Sequence, residues 1–173
     1  MKTFLKYSGF LAAVIAVVGF ILMMTTPAFA YFPENGDPLY LTSARVLFGE
    51  DGALGHYDAV WSAIVAWILA MVGVIALLIG VILPLVKKEK FAGLINLIAL
   101  CALVFGGVFI FVSQPCTLTS TVLGATVVTK PYADYGLNAT WIITAILYIA
   151  AGALAILPAA MDLFGGKGKK KRK

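Results

Sequence analysis

Charge is scarce in this sequence, and the places where it is missing are informative. Only 12% of the 173 residues are charged and 62% are hydrophobic, whereas a soluble domain carries about 25% charged residues. Four stretches run without Asp, Glu, Lys or Arg, and each is long enough for an α-helix to cross a hydrocarbon core about 30 Å thick. The composition therefore excludes an ordinary water-soluble domain and indicates an integral membrane protein.

The middle of every apolar stretch also lacks ionisable groups, and the chain has a single histidine, His56. Ionisable residues inside a membrane are costly and usually mark proton relays or sites for charged substrates. One histidine cannot build a multi-histidine metal centre within one chain, and no serine has a histidine or lysine base beside it in an obvious motif. We therefore expect a protein that is not an enzyme and that holds no cofactor.

The segment "GEDGALGHYD" (residues 49–58) does gather side chains that could bind a cation. The spacing of Glu50, Asp51, His56 and Asp58 matches neither an EF-hand nor a zinc pattern. We predict a solvated loop without a metal, in which Asp58 caps the amino end of the second span.

Two cysteines allow at most one disulfide within the chain. Cys101 lies in the middle of an apolar stretch and Cys116 lies beyond its end. Because a disulfide requires close Cα atoms, we expect no bridge between them.

The four apolar stretches predict an all-α membrane protein, a four-helix transmembrane bundle. Backbone amides in lipid must be paired within their own segment, and the alternation of a membrane β-barrel is absent. The predicted spans are residues 5–26, 59–85, 91–113 and 138–161; the outer loops are 31–58 and 114–137, and a basic tail covers 163–173.

The distribution of basic residues predicts how the bundle is oriented. Every Lys and Arg except Arg45 and Lys130 falls on one side of the predicted spans, which by the positive-inside rule places both termini in the cytoplasm if the first span is retained. This distribution argues against a nucleic-acid partner. Basic residues of the tail are predicted to contact anionic lipid headgroups: Lys169, Lys170, Lys171, Arg172 and Lys173. An aromatic belt is predicted at the outer interface: Tyr57, Trp61, Tyr132, Tyr135 and Trp141.

The first apolar stretch has two interpretations. A short basic start and the motif Ala28-x-Ala30 after Pro27 are typical of a cleaved signal peptide, which would remove residues 1–30. An uncharged run from Tyr7 to Met24 is longer than most signal peptides need and favours a retained span. Both interpretations place Tyr31 outside.

The outer loops carry β-sheet signals. "LYLTSARVLF" (residues 39–48) is rich in β-formers and predicts one strand. "TSTVLGATVVT" (residues 119–129) predicts a short hairpin that turns at Gly124-Ala125. We expect a small extracytoplasmic β-sheet, with an irregular loop as the alternative.

Inside the spans, the most polar side chains are Asn96 and Thr144. An interhelical hydrogen bond is the simplest role for Asn96, and contact with a solute is the alternative. Small residues at four-residue spacing, including Gly80 and Gly106, predict close helix packing within the bundle or, alternatively, a seam between copies.

Four spans, a longer first outer loop with strand character and a basic tail resemble the layout of claudin-type tetraspan proteins. Residues 31–58 contain neither Trp nor Cys, so the signature of that family is absent and no residue role is carried over. We expect a non-enzymatic accessory or scaffold subunit in the cell or cytoplasmic membrane, with a membrane-protein partner or a homo-oligomer. The alternative is a transporter or channel component for a neutral or apolar solute.

Overall fold

The computed structural model describes residues 2–53, 55–86, 89–122 and 125–164. Four helices in these residues are long and apolar enough to cross a membrane: α1 (Lys2–Thr25), α3 (Trp61–Ile82), α4 (Glu89–Phe111) and α5 (Ala139–Phe164). A short 3-10 helix, Leu83–Val86, follows α3 and contains Pro84, whereas Pro158 lies inside α5. The prediction of four membrane-length helices is therefore confirmed.

The four helices form an antiparallel bundle in which α1 contacts α3 and α5, and α4 contacts the same two neighbours. Glycines mark where the backbones come closest. A Cβ atom at Gly73 would lie 2.6 Å from Leu103 Cγ across the α3–α4 contact, and one at Gly107 would lie 2.8 Å from the Ala145 carbonyl of α5. Small residues therefore allow the helices to pack at short distance.

Large side chains fill the space that these close contacts leave. Tyr148 and Leu103 are fully buried in the middle of the bundle. Gly19 accommodates the Tyr148 ring, because a Cβ there would lie 2.9 Å from Tyr148 Cε1. The Tyr148 hydroxyl reaches the sulfur of Met23 at 3.8 Å. The described interior is thus a packed apolar core.

The opposite faces of the helices are apolar and exposed. On α1 the exposed side chains recur every three or four residues, as expected for one face of a helix turned toward lipid: Phe10, Val14, Val18 and Ile21.

The β-strands of the described residues lie at one end of the bundle. We call this end the cap; it consists of the described residues between α1 and α3 and between α4 and α5. One sheet has three strands in the order β2-β1-β7, and the other has four in the order β3-β4-β5-β6. The strands are β1 (Phe29–Tyr31), β2 (Leu39–Leu41), β3 (Glu50–Gly52), β4 (Gly55–Tyr57), β5 (Leu118–Val122), β6 (Ala125–Thr129) and β7 (Gly136–Leu137). Every pairing is antiparallel.

The cap corrects the prediction of one strand over residues 39–48. Only β2 is extended, and a short helix α2 (Ser43–Phe48) follows it. Thr42 caps α2 at its amino end by accepting a hydrogen bond from the Arg45 amide, and Gly49 ends it at a φ of 72°. A capping threonine and a glycine in the left-handed region therefore override the β-propensity of the residues between them.

The predicted hairpin is present as β5 and β6, but its turn is displaced by one residue. Ala125 is paired with Val122 inside the ladder, so the connecting residues are 123 and 124, which lie outside the described residues. The first loop pairs with this hairpin through β4, whose His56 lies opposite Thr119, whereas β2, from the region predicted as a strand, pairs with β1 in the other sheet.

The aromatic belt also needs correction. Trp61 is 67% exposed, as a residue of the belt should be, but Trp141 is fully buried. Tyr57, Tyr132 and Tyr135 are half-buried within the cap. Aromatic residues at this end of the bundle therefore serve mainly to attach the cap, as their contacts show below.

Candidate functional site

The cap is attached to the bundle where α1 ends and α5 begins. Trp141 lies in the first turn of α5, and its Nε1–H donates to the Ser43 hydroxyl of α2 at 3.1 Å. Ser43 in turn donates to the carbonyl of Thr26, just beyond α1. The amide of Asn138 donates to the carbonyl of Ala28 at 2.9 Å. Buried polar groups need such partners, so these bonds fix the position of α2 and β1 on the bundle.

Asp58 links the two segments of the chain that form the cap, one between α1 and α3 and the other between α4 and α5. It does not cap α3, because that helix has Val60 at its N-cap and no side-chain capping bond. Instead the hydroxyls of Thr119 and Thr117 donate to Asp58 Oδ2 at 2.7 and 2.8 Å. These bonds stabilise the carboxylate and hold the pKa of Asp58 below its ordinary value. The predicted N-cap is thus wrong, and the Asp58 side chain instead contacts residues 59 and 61 positions away in the chain.

Arg45 projects from α2 into a cluster of side chains that joins both segments of the cap. Its Nε lies 2.5 Å from Glu50 Oε2, and its Nη1 donates to the Tyr132 hydroxyl at 3.1 Å. The guanidinium carbon also lies 4.8 Å from the centre of the Tyr57 ring. The hydrogen bond between Arg45 and Glu50 lowers the pKa of the Glu50 carboxyl and raises the pKa of the Arg45 guanidinium. The cation is therefore held in one orientation by a carboxylate, a hydroxyl and a ring face.

Four tyrosines form a row of ring contacts that begins at this cluster and runs through the cap. Tyr57 and Tyr132 have ring centres 5.7 Å apart, Tyr132 and Tyr135 are 5.0 Å apart, and Tyr135 stacks on Tyr31 at 5.6 Å. Burial and a hydrogen bond with Tyr57 raise the pKa of Tyr132 to about 12, so its hydroxyl stays protonated at neutral pH. The row ties both sheets and the turn before β7 into one unit.

A cavity of about 280 Å³ opens beside this row, between the segment after α4 and the turn before β7. Its lining includes Gln114, Cys116, Lys130 and Tyr132. The Cys116 thiol is 2% exposed, and burial raises its pKa, which keeps it protonated and unreactive. Both cysteines are free thiols. The cavity offers polar contacts and no activated nucleophile.

The segment 49–58 was the candidate for a metal. In the structure Glu50 pairs with Arg45, Asp58 accepts two threonine hydroxyls, and His56 Nδ1 lies 2.7 Å from Asp51 Oδ1. Across residues 2–53, 55–86, 89–122 and 125–164, no three His, Cys, Asp or Glu side chains come together as metal ligands. The acidic groups there stabilise the cap.

The residues proposed inside the membrane do not form one site. Asn96 is buried on α4 and packs directly on Gly80 of α3, where any Cβ would overlap its amide oxygen. Thr144 is fully buried on α5, and its hydroxyl donates to the carbonyl of Thr140 at 2.9 Å. The contacts between α4 and α5 place Thr144 near the level of Phe109. Since an α-helix rises about 1.5 Å per residue, Thr144 and Asn96 lie roughly 20 Å apart along the bundle.

Gly106 and the basic tail complete the predicted residues. A Cβ at Gly106 would lie 3.4 Å from the Ala66 carbonyl, so this glycine belongs to the α3–α4 contact inside the bundle. The residues predicted to contact lipid headgroups lie outside the described residues: Lys169, Lys170, Lys171, Arg172 and Lys173.

Local sequence signals exist for only some of the contacts that hold the cap. A threonine followed seven residues later by glycine marks the two ends of α2. The bond between Trp141 and Ser43 and the contact between Arg45 and Tyr132 join residues 98 and 87 positions apart. Pairs so distant in the chain leave no local pattern.

Comparison with known proteins finds no matching family model, no matching curated protein and no matching solved structure. The claudin-like layout therefore stays a prediction.

Proposed function

We propose that this chain is a non-enzymatic accessory or scaffold subunit of a membrane complex, and that the cap is the surface it presents to partners. One observation carries the proposal: the polar side chains of the cap hold it rigidly on a bundle whose described interior is packed and apolar. Asp58, Ser43 and Arg45 all bond within the cap or to its base. A rigid, exposed structure loses little conformational entropy when a partner binds.

The proposed orientation places the cap outside and both termini in the cytoplasm. The support is the concentration of lysine and arginine away from the cap, together with the position of the β-structure where α1 ends and α3 begins. In this orientation the basic tail meets the anionic lipids of the inner leaflet. A cysteine introduced at exposed Ala133 should react with a membrane-impermeant thiol reagent on intact cells, and one added after the tail should react only after permeabilisation. The opposite labelling would invert the orientation.

Transport of a neutral or apolar solute is the rival function, and the geometry favours it less. A path through the bundle would bring its polar groups together at mid-depth, yet Asn96 and Thr144 lie roughly 20 Å apart. Fully buried Leu103 and Tyr148 occupy the space between these levels. Solute flux into liposomes that contain the purified protein, above the flux into protein-free liposomes, would favour the rival.

The proposed function is tested by affinity capture from native membranes in a mild detergent. We expect a stable set of membrane proteins, recovered in fixed proportion to the bait. A variant in which Arg45→Ala removes the contacts with Glu50 and Tyr132 should recover less of them if it stays folded, because the cap loses its fixed geometry. Recovery of the bait alone and as a monomer, from membranes in which the protein is naturally present, would refute the scaffold function.

A further inference from the structure

Strand β6, one edge of the four-stranded sheet, lacks the features that shield the other edge strands of the cap from pairing with another chain. Strand β3, the opposite edge, has three residues and carries Glu50 and Asp51. In the other sheet the edge strands are short, because β7 has two residues and β2 has three. Strand β6 has five exposed residues, Ala125–Thr129, with no charge and no proline. Edge strands are normally shielded by shortness, charge or proline, because their free backbone groups pair readily with another chain.

The register shows which backbone groups of β6 are free. Val122 and Ala125 flank a two-residue connection and form a hydrogen-bonded pair, so Ser120 and Val127 form the next one. The Asp58 amide donates to the Thr117 carbonyl at 2.8 Å, which independently places the odd-numbered residues of β5 toward β4 and the even-numbered ones toward β6. Strand backbone groups alternate in direction. The N–H and C=O groups of Thr126 and Val128 therefore point away from β5, outward from the open edge of the sheet.

The side chains beside this edge indicate what can pair with it. Thr126, Val127, Val128 and Thr129 are all β-branched, and Val128 is 60% exposed. Lys130 follows directly, is exposed, and forms no salt bridge with any residue that the structure describes. A second copy of β6 would bring no carboxylate to this ammonium group, because residues 125–129 contain none.

We propose that β6 binds an extended segment of a partner membrane protein as an added strand, through the backbone groups of Thr126 and Val128, with a carboxylate of that segment against Lys130. The inference rests on the proposed scaffold function and names the surface through which it operates. Backbone hydrogen bonds supply affinity in strand addition, and side chains at alternate positions supply specificity. The uncharged strand and the adjacent cation together select an uncharged β-forming segment with an acidic residue at one end.

The first experiment measures peptide binding to the full-length protein in nanodiscs. The probe is a six-residue peptide of Asp followed by alternating Thr and Val, with a fluorophore on its amino end and an amidated carboxyl end, so that antiparallel addition to β6 brings the Asp to Lys130. Its control carries Lys in place of Asp. Val128→Pro removes an outward N–H without breaking the β5–β6 ladder, and Val128→Thr is the matched variant that keeps this donor. We expect Val128→Pro to weaken binding of the Asp peptide at least tenfold and Val128→Thr to change it less than twofold. Lys130→Gln should abolish the preference for the Asp peptide.

Hydrogen exchange distinguishes a blocked edge from an unfolded one. The Val127 amide faces β5, so its protection should be equal in the two Val128 variants; if Val128→Pro lowers it, Thr126→Pro serves in its place. Binding of the peptide should slow exchange at Thr126 and Val128. Equal binding to the proline and threonine variants, or no binding to the wild-type protein, overturns the proposal. Protection of these amides that rises with protein concentration alone identifies a second copy as the occupant and also overturns it.

Capture from native membranes separates this inference from the scaffold function. Partners recovered with Val128→Thr and lost with Val128→Pro support strand addition. Partners recovered equally with both variants leave the scaffold function intact and overturn the role of β6. Recovery of no partner with either variant or the wild type refutes the scaffold function itself.

Discussion

The contact between Gly80 and Asn96 gives the most direct test of how the bundle is packed. A Cβ added at Gly80 would overlap the amide oxygen of Asn96 and lie 2.9 Å from its Cγ. Asn96 is only 3% exposed, so its amide cannot swing into open space. Overpacking of this kind costs about 1–3 kcal/mol, and we expect Gly80→Ala to lower the free energy of unfolding by that amount.

A double-mutant cycle isolates this contact. Asn96→Ala alone should destabilise the bundle by about 1–2 kcal/mol, because it leaves space on α4 and removes no hydrogen bond to a described residue. In the double variant the new methyl group at position 80 fills part of the space that the amide vacates. We expect the two changes to be less costly together than their sum by about 1 kcal/mol or more.

The assay is reversible unfolding in mixed micelles of SDS and a mild detergent, followed by tryptophan fluorescence. Gly136→Ala is the matched control, since a Cβ at that position meets nothing within 4 Å; it should shift the free energy of unfolding by less than about 0.5 kcal/mol. Strict additivity of Gly80→Ala and Asn96→Ala would show that the two residues do not touch, and the packing argument for α3 and α4 would fail.

Three further predictions concern the cap and its attachment. Because hydrogen bonds from Thr119 and Thr117 lower the pKa of Asp58, its contribution to stability should be present at neutral pH and be lost as the pH falls below about 4 through the folded pKa; unfolding monitored against pH should show a shallower acid slope for Asp58→Asn, and an unchanged slope would contradict the assignment. Trp141→Phe keeps a ring but removes the donor to Ser43, which should cost about 1 kcal/mol; the same loss measured in a Ser43→Ala background would show that this bond is not the cause. Ala28 and Ala30 lie buried at β1, so the intact mass of the purified protein should include residues 1–30, and a mass that lacks them would establish cleavage.

The helices could be predicted from the sequence because lipid imposes a simple requirement. A segment that crosses the membrane must be long, uncharged and self-paired in its backbone, and the four stretches that meet this requirement became α1, α3, α4 and α5. The hairpin of β5 and β6 was similarly local, since a two-residue turn between β-branched runs is a short-range signal.

The cap could not be predicted to the same extent, because its contacts compete with local preferences. Asp58 stands three residues before α3, a position that predicts an N-cap, yet its carboxylate accepts hydrogen bonds from two threonine hydroxyls in the segment between α4 and α5. Trp141 has the position of an interfacial residue, but Ser43 offers its indole a buried acceptor. In both cases a partner far along the chain decides the outcome.

The central place of β1 in its sheet has a consequence for biosynthesis. β1 pairs with β2 on one side and with β7 on the other, and β7 immediately precedes the last helix. A ribosome therefore releases β1 long before it makes the strand that completes the sheet. Until α5 enters the membrane, one flank of β1 and the alanine-lined side of α1 stay uncovered. The sheet and the bundle can therefore close only after α5 has been made, and a chain cut short before α5 leaves these surfaces of β1 and α1 uncovered.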